Sequence, residues 1–212
     1  MNRKHIILLL DESGSMESQK ANVINGVNET IRMQRELQFE PVTLSIVKFN
    51  SVVLKVRSDN LWNVRHFTSV DYLPNGQTAL YDAIGSTISR YGDEIGTIMV
   101  IVTDGQENSS KEFTKQQMIS MINKQRNTKN WNFIYLSEDP TTMRQGDSIG
   151  ISNSLKNCSN SVVGYQKVGL ELGSSTLQTY LKDVSQGATT RNYDDWQQWN
   201  NGKPNRFKTC WN

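Results

Sequence analysis

Five consecutive large aliphatic side chains, Ile6-Ile7-Leu8-Leu9-Leu10, run without a polar break and stop at Asp11-Glu12. Successive side chains of a strand point to opposite faces, so a run that is apolar on both faces needs cover on both. That pattern belongs to a central strand of a parallel sheet with helices above and below. The whole stretch His5 to Leu10 is far short of the ~20 residues that span a bilayer. It is also shorter than the ~7–15 apolar residues of a secretion signal, and it leads into two acids rather than a small-residue cleavage site. It therefore reads as a buried strand.

The rest of the chain repeats the alternation of short apolar runs and helical stretches that marks an α/β fold. A helix is predicted from about Ser18 to Gln38, with Ile24, Val27 and Ile31 on one face and Val23 and Met33 flanking. Pro41 breaks it, and the strand Val42 to Phe49 follows. Asn50-Ser51 reads as a tight turn into Val52 to Val56, an antiparallel edge strand on which Lys55 and Arg57 discourage further pairing. Ser58 to Gly76 is irregular and ends in the turn signal Pro74-Asn75-Gly76. Leu80, Ala83, Ile84, Thr87, Ile88 and Tyr91 then mark the clearest amphipathic helix. A second fully apolar strand is Ile98 to Val102. A helix around Phe113 to Arg126, a strand Trp131 to Leu136, a weaker strand within Leu155 to Val163 and a last helix marked by Leu177, Leu181 and Val184 complete the pattern. After about Ser185 the composition changes to aromatics (Tyr193, Trp196, Trp199, Phe207, Trp211) set among Asn, Gln, Gly and Pro.

Composition narrows the function classes. The 212 residues are 36% hydrophobic and 21% charged, with a mean hydropathy of -0.58. These values exclude a collagen-like or wholly disordered chain. Lys and Arg number 23 against 21 Asp and Glu, a net charge of +2. No block of like charge is long enough to form an arm for nucleic acid or lipid, so neither nucleic-acid binding nor membrane insertion is expected. Cys158 and Cys210 lie far apart and read as reduced thiols in preference to a disulfide. The expected location is cytoplasmic, with association with a virion as the other possibility.

Three loops carry the chemistry. In Asp11-Glu12-Ser13-Gly14-Ser15-Met16 the alternating Asp11, Ser13 and Ser15 can turn one carboxylate and two hydroxyls toward a common point. Gly76-Gln77-Thr78 places a hydroxyl where the amphipathic helix opens, and Thr103-Asp104-Gly105 follows the strand Ile98 to Val102. In a parallel sheet all three fall at the carboxyl ends of strands, where open α/β sheets bind their ligands. Carboxylate and hydroxyl oxygens are hard donors that select Mg²⁺, Mn²⁺ or Ca²⁺ over softer metals.

Together the segments DESGSM, GQTALYDAI and VTDG resemble the von Willebrand factor type A (vWA) domain and its metal-ion-dependent adhesion site, over the span from about His5 to Val184. The resemblance implies a doubly wound, Rossmann-like, mostly parallel six-stranded sheet with one antiparallel edge strand and helices on both faces. Residues 1–185 would form the vWA domain and 186–212 a C-terminal aromatic-rich tail. It further implies that Asp11, Ser13, Ser15, Thr78 and Asp104 are the metal-site residues. Ser13 and Ser15 would bind Mg²⁺ directly, some of the others would act through water, and an open position would accept an Asp or Glu from a partner protein. Mn²⁺ or Ca²⁺ could replace Mg²⁺. Glu17-Ser18-Gln19 stands where some relatives carry paired acids for a second ion, so one metal is expected, not two. Asp82 either orients Thr78 or a bound water, or is simply a surface helix residue.

Competing readings are weaker. Ser13, Ser15 and Thr78 could be helix caps and Asp104 a turn residue, but three such loops at strand ends argue against coincidence. A phosphatase with an Asp-x-Asp start would need an acid where Ser13 stands. His5 opens a buried strand, His66 lies in the irregular segment, and no Gly-rich phosphate loop with a Lys is present. The expectation is therefore a metal-dependent protein-binding module rather than an enzyme. The alternative is a structural subunit of a larger assembly, a viral capsid or appendage, and a metal-dependent hydrolase comes third. Trp196, Trp199 and Trp211 either pack back over a helix pair or an edge strand, the preferred reading, or dock into a partner.

Overall fold

The computed structural model describes residues 4–36, 42–137 and 139–151. At its centre is β1 (Lys4–Asp11), which pairs in parallel with β2 (Val42–Phe49) on one side and β4 (Ile98–Val102) on the other. β3 (Val53–Asn60) joins β2 antiparallel and β5 (Asn132–Leu136) joins β4 in parallel, giving the order β3-β2-β1-β4-β5 among the described residues. The alternation along β1 divides the core. Ile6, Leu8 and Leu10 pack with Val23, Val27 and Ile31 of α1 (Lys20–Glu36). Ile7 and Leu9 pack with Leu80, Ala83, Ile84 and Ile88 of α2 (Leu80–Tyr91) and with Met118 and Ile122 of α3 (Lys115–Lys129). All five β1 side chains from Ile6 to Leu10 are at most 2% exposed, and each burial contributes about 1.5–3 kcal/mol. The α/β architecture, the parallel core, the antiparallel edge and the helices on both faces are as predicted.

Several boundaries differ from the sequence reading, for local reasons. A 3₁₀ turn over Gly14–Gln19 precedes α1, with buried Met16 plugging it into the core and the Met16 N–H donating to the Ser13 carbonyl at 3.0 Å. β3 runs past Val56 to Asn60 because Ser45, Leu44 and Thr43 find partners in Ser58, Asp59 and Asn60, with a register irregularity opposite Ile46 and Val47. α3 starts at a reciprocal cap between Thr114 and Gln117 and ends at Asn130, whose φ of 54° is left-handed. α4 (Pro140–Ser148) is an element the sequence reading did not include. Asp139 caps it by accepting the N–H groups of Thr141 and Thr142 at 2.6 and 3.1 Å, and Pro140 opens its first turn. The expected strand in 155–163, the last helix, both cysteines and the tail lie outside the described residues. Among the described residues no helix is long and apolar enough to cross a membrane.

Candidate metal centre

Because β1 and β4 are adjacent and parallel, Asp11 at the end of β1 meets Thr103 just beyond β4. Thr103 Oγ1 donates to Asp11 Oδ2 at 2.5 Å and the Ser13 N–H donates to Oδ1 at 2.7 Å. Asp11 is fully buried. Burial pushes its carboxyl pKa up, against the pull of hydrogen bonds from Thr103, Ser13 and the Gly105 backbone. Among the described residues, Asp11 forms no ion pair.

Gly105 shows how tightly the oxygens converge. A methyl group built on it would overlap Thr78 Oγ1 and stand 2.8 Å from Asp11 Oδ2 and 3.1 Å from Ser13 Oγ. Oxygens from the first and second loops thus surround one point beside the third. Ser15 Oγ lies 3.2 Å from Ser13 Oγ, and Ser15 is exposed whereas Ser13 and Thr78 are buried. The donor set therefore grades from the buried Asp11 to an open rim at Ser15. Asp104 is the second residue beyond β4, half-buried, with its Oδ1 accepting from Ser137 Oγ at 3.2 Å and its N–H donating to the Met16 sulfur at 3.2 Å. Burial raises the pKa of the nearby Tyr72 phenol, and the charges of Asp11, Glu12, Asp104 and Glu17 raise it further. Asp11 and Asp104 act in the same sense on Tyr135, after burial as the largest cause. The Asp11 carboxylate and the Ser13 and Thr78 hydroxyls are hard donors of the kind a hard divalent cation takes, while the Asp104 side chain contacts Ser137. Among the described residues no three His, Cys, Asp or Glu side chains cluster as a metal group, which leaves softer sites of the zinc kind without support there.

The loops are held together by groups that composition and spacing did not single out. Asn75 N–H donates to the Glu12 carbonyl at 2.8 Å and Gly14 N–H to the Gly76 carbonyl at 3.1 Å, with Gly76 at a left-handed φ of 75°. The Tyr72 hydroxyl donates to the Asp11 carbonyl and the Leu73 N–H to Glu12 Oε1. Glu12 also holds Lys48 Nζ at 2.6 Å, in a pair whose side chains are 3% and 13% exposed. Asn108 brackets Thr78 by donating its N–H to the Thr78 carbonyl at 3.0 Å and accepting the Thr78 N–H at 2.9 Å. Asp82 is not the simple surface residue of the second reading. It is buried and accepts the backbone N–H groups of Lys111, Glu112 and Phe113 at 2.7, 2.9 and 2.9 Å, anchoring the approach to α3. His5 is a buried strand residue and His66 is exposed, as expected.

No protein-family model and no curated protein matches this sequence. Solved structures do match its shape. A von Willebrand factor type A protein from Catenulispora acidiphila superposes with a TM-score of 0.55 at 12% identity, over 86% of this chain and 43% of its own. Proximal thread matrix protein 1 from the mussel byssus gives 0.58 at 16% identity, over 87% of this chain and 48% of its own. A variant of the PilB minor pilin from Streptococcus sanguinis gives 0.55 at 13% identity, over 96% of this chain and 64% of its own. The fold is thus of the vWA type. The chain spans less than two thirds of the length of each of these proteins.

Proposed function

We propose that this chain is a metal-dependent protein-binding module that holds Mg²⁺ with Asp11, Ser13, Ser15, Thr78 and Asp104 and engages an acidic side chain of a partner protein. The observation that carries this reading is the convergence of Asp11 Oδ2, Ser13 Oγ and Thr78 Oγ1 around one point beside Gly105. When bound, the ion would supply the positive charge that the buried Asp11 carboxylate lacks, and would present it to an external carboxylate. The residues divide the remaining work. Thr103 and the Ser13 and Gly105 N–H groups hold Asp11 in place. Asn108 fixes the backbone of Thr78. Exposed Ser15 marks the side open to a partner.

A binding role also agrees with the matrix protein and minor pilin among the structural neighbours, whose names describe assembly components rather than enzymes. Within the described loops no histidine stands beside Ser13, Ser15 or Thr78 to serve as a base, which speaks against a Ser–His hydrolase arrangement there.

The test is thermal unfolding in Mg²⁺ or Mn²⁺ against EDTA. At a metal concentration ~100 times the dissociation constant the expected gain is about 2.7 kcal/mol. For a chain of this size that raises Tm by roughly 5–10 °C. Asp11→Ala should remove the gain. Superimposable wild-type curves with and without metal would overturn the reading. A pull-down in Mg²⁺ against EDTA then identifies the partner.

A further inference from the structure

Away from the loops that carry the metal-site residues, a groove of ≈ 500 Å³ opens between α2 and the β2–β3 hairpin. α2 packs on β1 and β2 and touches the edge strand β3, and among the described residues no further helix lies over the hairpin on this face. The floor is apolar, made by Val47, Val52 and Val53 with Tyr91, and Val52 is 56% exposed. Its rim carries Arg90 and Lys111, both exposed, and neither head group makes an ion pair among the described residues. The groove's buried acid, Asp82, already accepts three backbone N–H groups, which leaves Glu112 as the one other acid lining it. Tyr91 also lines the groove. Its hydroxyl is buried and has no hydrogen-bond partner among the described residues, and leaving such a group unpaired costs about 1–3 kcal/mol.

The chain itself contains a segment of matching chemistry. Tyr193-Asp194-Asp195-Trp196-Gln197-Gln198-Trp199 has the only adjacent pair of acids after Ile151, set among three aromatic rings and two amides. We propose that this segment seats in the groove, with Asp194 and Asp195 against Arg90 and Lys111 and its rings on the valine floor. Forty-one residues separate Ile151 from Tyr193, a connection long enough for the segment to return to the domain. Tethering gives it an effective concentration in the millimolar range, so modest contacts suffice.

The experiment is hydrogen–deuterium exchange on the full chain. In the Asp194→Lys/Asp195→Lys variant, amides of Ser51–Val53 and Ser86–Tyr91 should exchange about tenfold faster than in wild type while β4 amides stay unchanged. Arg90→Glu/Lys111→Glu, at two exposed positions, should produce the same acceleration. Combining all four reversals should restore slow exchange. Unchanged groove exchange in the tail variant would overturn the proposal. So would protection that disappears on dilution, which would assign the groove to a second copy, or acceleration that the combined reversal fails to rescue. None of these outcomes depends on metal.

Discussion

The two ends of the sheet treat a buried ionisable group in opposite ways. At the amino end, His5 is enclosed beneath the Tyr91 ring, whose centroid lies 4.9 Å away. Its Nδ1 contacts Glu94 and its Nε2 stands 2.7 Å from Ser45 Oγ, which in turn lies 2.8 Å from Ser58 Oγ. Every polar atom of that imidazole is matched from within the chain. At the carboxyl end, Asp11 has neutral donors but no cationic side chain among the described residues, while Glu12 immediately beside it has Lys48. The protein can therefore pair a buried carboxylate in this region, and it does so one residue away from the one it leaves without a cation. A buried carboxylate supplied with orienting donors and no counter-charge is the arrangement on which the proposed metal-binding role rests.

The largest test of this contrast removes the internal counter-charge. Lys48→Met should strand Glu12 and cost about 3–5 kcal/mol in denaturant unfolding. Lys48→Met combined with Glu12→Gln should recover a good part of that, because no buried charge remains. Next in size, Gly105→Ala should destabilise by about 1–3 kcal/mol through overpacking against the converging oxygens. It should also abolish the Mg²⁺-dependent rise in Tm. Asp82→Ala orphans three backbone donors and should cost a comparable ~1–3 kcal/mol. Its Mg²⁺ response should stay intact, since Asp82 serves the approach to α3 rather than Thr78.

The smallest effect lies at the amino end. Burial lowers the His5 pKa more than Glu94 raises it, so the folded protein protonates this ring less readily than the unfolded chain does. Stability from this group is full above pH 6.5 and declines as pH falls from there toward the lowered folded value, by at most about 1.4 kcal/mol per pH unit. Glu94→Gln should steepen the decline and His5→Gln should remove it, both read from chemical denaturation between pH 7 and 5.

How much of this was legible in the sequence depends on which physics set each feature. Ile6 to Leu10 and Ile98 to Val102 announced the central strands because burial on both faces leaves a one-dimensional trace. The helix over Leu80 to Tyr91 was equally readable from its period. Two of the candidate loops stand out because each sits where an apolar run stops, and the third because Thr78 leads into the amphipathic helix. What could not be read was the long-range partnering, since Tyr72 with Asp11, Asn108 with Thr78 and Asp82 with residues 111–113 each join segments 29 to 61 positions apart. α4 did leave a local mark, Asp139-Pro140 followed by two threonines, but its weak apolar face hid it.

Asp11 also caps the strand with neighbours on both flanks, since β1 is bonded to β2 through its full length and to β4 over Ile6 to Leu10. A tug on Asp11 directed along the strand would load both rows of backbone bonds in shear at once, instead of unzipping them one by one. A grip taken at this rim would give way only when the middle of the sheet slides, so any attachment made there would draw on the part hardest to pull out.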